Sequence, residues 1–582
     1  MRKKRAEPQI LQDPLSDDQS RSLLATAGVI RDPVHGDVHI TALERAIIDT
    51  DVLQRLKRIR QLAMVDFVYP GATHTRFLHS LGVLYVCNNM LLACNNTARN
   101  CERLAANGEA RAVRIPHYPR LLARLVALLH DAAHVPFGHV FEREAHVFRK
   151  GTDEWHDPWR WEKVFGLNSE LRGVVRRFLR KYLTDSTGSG SFPNGCTAEQ
   201  AGDALLDEVG SVLRAKKDDE KDDEKDEEKD DGKDKQTAAQ RDVLYLRYPF
   251  VYDIVSNTLC ADLVDYLKRD MFFCGLPGDI GSRCLQYLGV VPVRSTRTGN
   301  SNGPWTVMKD AEEYAFPRRE VGEDTSLCRL ALLPYRYNER GGAACKPYVV
   351  VEAVDLVRRR KMLGEAAYFH KTKLCATSML AAAAAVPDAG VHRGEDVWAM
   401  SDDDVLGKLA ATDRDLSSDD LIDAGKRGAI RVGTLARKLR ARHLFKPIFR
   451  LEYHADTGDP VGRTLWQEVY PYFRKPENRA ELIDLLERII HAAHHSDTEF
   501  DPRRAFGSVS ISCPDKRMQL KGLGMYVLED PSDEELQTLE AAAKKEWLKN
   551  EIRAIQTGHH DLWRLEVYVY CFIASETFRV IE

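Results

Sequence analysis

Apolar positions recur at helical spacing through residues 41–135. Leu43, Ile47, Ile48, Leu53, Leu56 and Ile59 mark one face, and LLARLVALL at 121–129 is apolar almost all round, the pattern of a buried helix. Helical spacing returns at 250–271 and 351–385. Between them, residues 286–350 break into short runs such as VVPV, punctuated by Gly, Pro, Ser and Asn, which predicts strands with long connections. The last third mixes types: a helix near 477–495, the alternation SVSIS at 508–512, a charged helix near 533–555 and a strand at LEVYVY, 565–570. The pattern predicts a mainly α chain with an N-terminal tail over 1–29 and a helical core over 30–385. The 286–350 strands are inserted into that core, and a smaller C-terminal α+β lobe follows over 386–582.

Charge alters this picture at one place. The 582 residues carry a formal net charge of −4, but KKDDEKDDEKDEEKDDGKDK at 216–235 alone holds −5, leaving +1 for the rest. This run has no apolar residue and reads as a disordered, solvated acidic/Lys insertion. A near-neutral remainder argues against avid nucleic-acid binding, so an anionic small substrate must be held by local clusters. No stretch approaches the ~18 consecutive apolar residues of a membrane span, which argues against an integral membrane protein. The basic N-terminus lacks an apolar segment behind it, and twelve cysteines are scattered without a CxxC pair. Both features lead to the expectation of a cytoplasmic protein with reduced thiols.

Chemistry concentrates in LLARLVALLHDAAHVPFGHVFE, 121–142. An apolar helix delivers His130 and Asp131, with His134 one turn on, and Pro136 predicts a break near Val135. His139 and Glu142 follow. An ionised carboxylate at the end of a buried helix is costly unless it pairs or binds a metal. RFLHSLGV places His79 at a helix start, and SNTLCADLVDYLKRD places Asp262, Asp265, Tyr266 and Asp270 on one face. Two imidazoles and two carboxylates, His79, His130, Asp131 and Asp262, form a mixed nitrogen and oxygen set suited to a divalent ion such as Mn, Fe, Ni, Co or Zn.

The order H…HD…D resembles the signature of the HD-domain phosphohydrolases. The fuller pattern of RDPVHGDVHI, DTDVLQRLKRIRQL, YPGATHTRFLHSLGV, HDAAHVPFGH and ADLVDYLKRD resembles the deoxynucleoside triphosphate triphosphohydrolases, of the sterile-alpha-motif-and-HD type and its bacterial dGTPase-like relatives. Weaker echoes run through RRRKMLGEAAYFHK at 358–371, WAMSDDDVLGKL at 398–409, RHLFKP at 442–447 and SVSISCPDKRMQLK. The residues before 30 are too few for a sterile-alpha-motif domain. His130-Asp131 is followed by AAH, not the acidic pair of alarmone hydrolases, and nothing resembles the GYP extension of cyclic-dinucleotide phosphodiesterases.

This resemblance implies an HD-domain helical core binding a divalent metal, with Mg added to the ions above, and a dNTP split into deoxynucleoside and triphosphate. It implies catalytic roles for His134, His139 and His156. Substrate contacts would come from Arg76 and Arg360 to phosphates, and from Gln61, Leu62, Tyr266, Asp270 and Tyr368 around the sugar. Asp49, Gln54 and Lys57 match positions that read an activating nucleotide at a subunit interface, implying a homo-oligomer, and a role in antiviral or phage defence would be consistent. The chain departs from the pattern at Leu263, Gly364 and Phe369, where relatives carry Lys or Arg, His and Gln. Lys57 replaces Arg, and Gly28 stands where an activator-gripping Lys is found. An HD phosphodiesterase acting on another nucleotide or an oligonucleotide end is a second reading, and a non-catalytic nucleotide-sensing module a third.

Overall fold

The computed structural model describes residues 13–104, 111–144, 155–187, 192–215, 243–277, 280–296, 305–308, 316, 318–321, 324–337, 343–452, 460–494, 501–513, 525–530, 532–539, 549–555 and 564–569. The charged run at 216–235 lies outside them. The chain is mainly helical.

The segment expected as a tail is built in from Asp13 onward. Helix α1 (Asp17–Leu23) starts from a Ser16–Gln19 capping box, and β1 (Thr26–Asp32) pairs antiparallel with β2 (Gly36–Thr41). Leu15 and Leu23 are buried, so this segment contributes apolar anchors that a solvated tail would lack. Helix α2 (Ala42–Ile48) and a run of short turns to Arg58 bury Leu43, Ile47, Ile48, Leu53, Leu56 and Ile59, the face read from the sequence. Next come the long α3 (Arg76–Leu104) and α4 (His117–Leu129), packed together. Helix α3 is long and apolar enough to cross a membrane by composition, so the absence of an unbroken apolar run did not exclude such a helix. It is 67% buried within the protein over its most apolar window, as a core helix is. Helices α5 (Ala198–Leu213), α6 (Pro249–Ser256) and α7 (Ala261–Phe273) complete this bundle.

Helix α4 stops at Leu129, earlier than Pro136 alone predicts. The carbonyls that would continue it are taken by side chains: Ala127 accepts His130 Nδ1 (2.8 Å), His130 accepts the Trp155 indole (3.0 Å), and Ala132 accepts Arg55 (2.6 Å).

Strands β3 (Leu288–Thr296), β4 (Trp305–Val307), β5 (Arg319–Val321) and β6 (Asp324–Leu332) form the expected insertion, followed by a small hairpin of β7 (Tyr335–Tyr337) and β8 (Ala343–Cys345). Helices α8 (Pro347–Leu363), α9 (Lys371–Ala384), α10 (Asp402–Ala410) and α11 (Ala424–Arg440) return to the helical core. Strand β9 (Lys446–Glu452), helix α12 (Pro476–Ala493), β10 (Val509–Ser512), β11 (Tyr526–Val527), β12 (Glu535–Thr538) and β13 (Arg564–Val569) follow.

The C-terminal third is not one lobe. Strands β10, β13 and β9 make a three-stranded sheet that packs on α9. Strands β11 and β12 instead join the insertion, giving the order β11-β12-β4-β3-β6-β5, and β11 also pairs parallel with β6 so that five strands close on themselves. Trp305, Val291, Val293, Leu327, Tyr526 and Leu536 fill this closed sheet. The charged helix expected near 533–555 opens instead as a strand over 535–538, where Leu536 is buried opposite Trp305, while residues 549–555 are helical. Tertiary pairing overrides local propensity there.

Candidate metal centre

Three elements converge on one point. Helix α3 brings His79 from its first turn, the end of α4 brings His130 and Asp131, and the first turn of α7 brings Asp262. His79 Nε2 lies 3.0 Å from Asp262 Oδ1, 3.1 Å from His130 Nε2 and 3.9 Å from Asp131 Oδ2. His130 Nε2 lies 3.6 Å from Asp131 Oδ1 and 3.9 Å from Asp262 Oδ1. All four residues read as ligands from the sequence are thus assembled.

The outer bonds aim the two imidazoles. His130 Nδ1 faces a backbone carbonyl, which can only accept, so this nitrogen carries the hydrogen. His79 Nδ1 donates to Asp265 at 2.7 Å. Both rings therefore turn Nε2 toward each other and toward two carboxylates, an arrangement that a cation between them would satisfy. Burial alone would lower the His79 pKa, but the bonds to Asp262 and Asp265 outweigh it and push it up to about 10. The donor set fits a divalent metal cation.

Behind His79 stands a network that the sequence pattern did not single out as such. Asp265 accepts His35 Nε2 (2.6 Å) and both Nε and Nη2 of Arg269 (each 2.9 Å). Arg269 also reaches Asp32 (2.8 Å), which in turn accepts the N–H groups of Val34 and His35. This gives the hairpin motif RDPVHGDVH a structural role: Asp32 and His35 belong to the support of His79, a candidate metal ligand. Burial opposes ionisation of Asp265, yet Arg269, His35 and His79 together hold its carboxyl well below the usual range. Gly82, one turn after His79, leaves the space this network fills; a Cβ there would run into the Asp265 carboxylate and the Arg269 guanidinium.

Asp131 is paired with Arg76 (Nη1 to Oδ2, 2.8 Å) and with His134 (3.3 Å). Burial resists its charge, but Arg76, His130 and His134 hold it well below the usual carboxylate range. A second group lies beside it: His134, His139 and Glu142. The Glu142 carboxylate sits 3.5 Å from His139 and 3.7 Å from His134, and Arg160 binds it at 2.5 Å. His139 is half exposed, at 52%, so its imidazole faces solvent from a buried acidic support. Phe137, between the two histidines, has φ +57°, a left-handed conformation rare for a bulky residue. His156 is half-buried beside Trp155, whose indole holds the His130 carbonyl.

The residues expected around a sugar share a second set of contacts on the helix that carries Asp262. Tyr266 lies one turn after Asp262 on α7. Asp270, one turn further, accepts the Tyr368 hydroxyl and lies 2.8 Å from His74 Nε2. The His74 carbonyl accepts the Gln61 N–H (2.9 Å), and the Gln61 side-chain oxygen is buried with no hydrogen-bond partner among the described residues. Leu62 is half-buried against the core and precedes Ala63 at φ +47°. Burial pushes the Tyr266 and Tyr368 hydroxyls up, while nearby Arg360 pulls both down. Arg360 is half-buried and shows no ion pair among the described residues, which leaves a guanidinium free for an anion.

Asp49, Gln54 and Lys57 do not join this group. Asp49 and Lys57 are exposed, while Gln54 donates to the Ile48 carbonyl and accepts from Lys57, each at 2.7 Å. Gly28 packs under the Arg45 guanidinium.

No family model matches the sequence. The human deoxynucleoside triphosphate triphosphohydrolase SAMHD1 is 25% identical over 347 residues, 57% of this chain and 48% of that protein. The mouse protein of the same name is 35% identical over 162 residues, 27% of this chain and 23% of that one. The SAMHD1 homolog of Dictyostelium discoideum is 25% identical over 261 residues, 44% of this chain and 38% of that one. The chain spans about half the length of the human relative and less of the other two. Among solved structures, a phosphohydrolase of Bacteroides thetaiotaomicron aligns over 94% of this chain and 100% of its own, with a TM-score of 0.47 and 16% identity. In its sequence, and in the H…HD…D residues that the fold draws together, the chain resembles the HD-domain deoxynucleoside triphosphate triphosphohydrolases.

Proposed function

We propose that the protein is a divalent-metal-dependent hydrolase that converts a dNTP to deoxynucleoside and inorganic triphosphate. The observation that carries this reading is the continuity of the site. Asp262 of the four-residue centre and Asp270 stand two turns apart on α7, and Asp270 joins Tyr368, His74 and Gln61. Arg360, with no ion pair among the described residues, lies near Tyr266 and Tyr368, so groups suited to a phosphate and to a sugar adjoin. The naming of the curated relatives as triphosphohydrolases supports it.

A divalent ion held by His79, His130, Asp131 and Asp262 would act as a Lewis acid and lower the pKa of a bound water from about 15.7 to about 7. The protein's own groups do the rest. Arg76, fixed on Asp131, and His134 place donors where charge develops on the α-phosphate. His139, raised out of the core on Glu142, is placed to give a proton to the departing 5′-oxygen, with His156 as the alternative donor. Arg360 offers a planar guanidinium to the outer phosphates. The Gln61 oxygen and the Asp270 carboxylate can accept from the 3′-hydroxyl, while Leu62, Tyr266 and Tyr368 crowd the sugar face that would carry a 2′-hydroxyl.

The test is product identification. The purified chain is incubated with Mn or Mg and each dNTP, each rNTP and a short oligonucleotide, and products are separated by ion exchange. Nucleoside plus triphosphate supports the reading; pyrophosphate, monophosphate or a shortened oligonucleotide supports the phosphodiesterase class instead. Assembly into homo-oligomers on an activating nucleotide at Asp49, Gln54 and Lys57 belongs to the same proposal. Sedimentation with and without dGTP, dTTP or GTP tests it, and an unchanged profile under all three defeats it.

A further inference from the structure

Asp402 is the first residue of α10 and is 2% exposed. Its two oxygens serve two separate stretches of chain. Oδ2 accepts the N–H of Arg60 at 2.7 Å, and Oδ1 accepts the N–H of Phe137 at 3.0 Å. Arg60 immediately precedes Gln61 and Leu62. Phe137 is the left-handed residue between His134 and His139. The Arg60 guanidinium itself turns away, to Asp66 and Asp403.

The helix does not need Asp402 for its own start. Ser401 and Asp404 already form a full capping box at the N-terminus of α10. Nor is Asp402 alone in gripping the site from this side. Trp398 stacks on the Arg55 guanidinium at 3.5 Å, and Arg55 holds the Ala132 carbonyl directly after the His130-Asp131 pair. The Ala399 carbonyl accepts Arg58 at 3.1 Å. Residues 398–402 thus form a strap across the back of the catalytic turn.

We propose that Asp402 is a positioning residue that locks the His134–His139 turn to the Gln61–Leu62 segment through its two backbone N–H bonds. The functional meaning of those two segments rests on the reading above; the mechanical claim does not. A carboxylate is suited to the task because it presents two acceptors and no donor. Asparagine would turn an NH2 group against one of the two N–H donors. Burial pushes the Asp402 carboxyl up to about 6, so the group is still ionised at neutral pH. Ionised and held by two amides, it supports a left-handed Phe137 that a side-chain-bearing residue adopts only under constraint.

The experiment compares the full chain with Asp402→Asn, Asp402→Ala and Asp404→Ala. Three quantities are read: amide hydrogen exchange in peptides covering 57–64 and 133–141, Mn bound per chain, and kcat and KM for dNTP hydrolysis. Both Asp402 variants should exchange about tenfold faster in the two stretches together. They should keep their Mn and lose roughly 100-fold in kcat with little change in KM, the signature of misplaced rather than missing groups. Asp404→Ala, which removes only the Asp404 half of the capping box, should leave both stretches as they are. Unchanged exchange in folded Asp402→Asn, or an equal effect of Asp404→Ala, overturns the proposal. If the unaltered chain hydrolyses no dNTP, the functional reading fails and the exchange data still decide the role of Asp402. If both Asp402 variants unfold, exchange in the unaltered chain decides: the amides of Arg60 and Phe137 must be among the slowest in their peptides, and rapid exchange of either defeats the proposal.

Discussion

His79 donates from Nδ1 to Asp265 at 2.7 Å, and this bond determines which nitrogen of His79 faces the metal ligands. Asp265 lies only three residues from Asp262 on α7. One helix therefore supplies both a candidate ligand and the support of another.

Asp265→Asn should weaken metal binding by about 10–100-fold, the usual loss when the group behind a ligating histidine is removed. The amide can still accept from His79, but it loses its charge and cannot serve His35 and Arg269 together. Titration of Mn into the metal-free variant, followed by calorimetry, measures the change. An unaltered affinity would show that the His79 ring is oriented by packing alone.

Removing the inner ligands is a harsher change. His130→Ala combined with Asp131→Ala deletes two of four ligands and should abolish stoichiometric metal binding and all hydrolysis. Elemental analysis of the purified variant alongside the activity assay checks both. Hydrolysis that survives would remove the metal centre from the mechanism.

Gly82→Ala adds a single methyl where the Asp265–Arg269 pair lies. The pair must shift or break. Overpacking costs about 1–3 kcal/mol, and loss of a buried ion pair raises that to about 3–5 kcal/mol. Thermal melting with and without Mn should show a lower Tm in both and a smaller gain from the metal than in the unaltered chain.

A pH effect on stability is expected far from the site. Glu208 on α5 accepts the Tyr118 hydroxyl (2.6 Å), with Arg247 at 3.9 Å, and burial pushes its carboxyl up to about 7. The folded state thus favours protonated Glu208 more than the unfolded chain does. Its contribution is fully present below the usual glutamate pKa near 4.5 and is lost as pH rises through about 7. Melting temperatures of Glu208→Gln across pH 5–8 should fall less with rising pH than those of the unaltered chain. Parallel curves for the two proteins would rule this contribution out.

The four residues that the fold brings together were legible because their chemistry is local in sequence: a His-Asp pair ending an apolar helix, a histidine at a helix start, and an aspartate at another. Asp32, His35 and Arg269 were not legible as support, because their roles exist only once the β1–β2 hairpin lies against α7, some 230 residues away. The stop of α4 at Leu129 was similarly hidden. Trp155 and Arg55 take the carbonyls of His130 and Ala132 just beyond its end, from 25 and 77 residues away. At 535–538 a charged segment with helical spacing became a strand because β4 offered an open edge and Trp305 a place for Leu536.

By itself the sequence determined which residue types are available and where the apolar faces run. That was enough to find the mainly helical core, the strand-bearing insertion and the H…HD…D set, since helix periodicity and ligand chemistry are properties of short segments. Tertiary structure decided which nitrogen of His79 points inward, which carboxylates face the candidate centre and which stand behind it, and how C-terminal strands close the inserted sheet. These depend on contacts between segments hundreds of residues apart, where burial fixes a tautomer or a strand partner that no local pattern encodes.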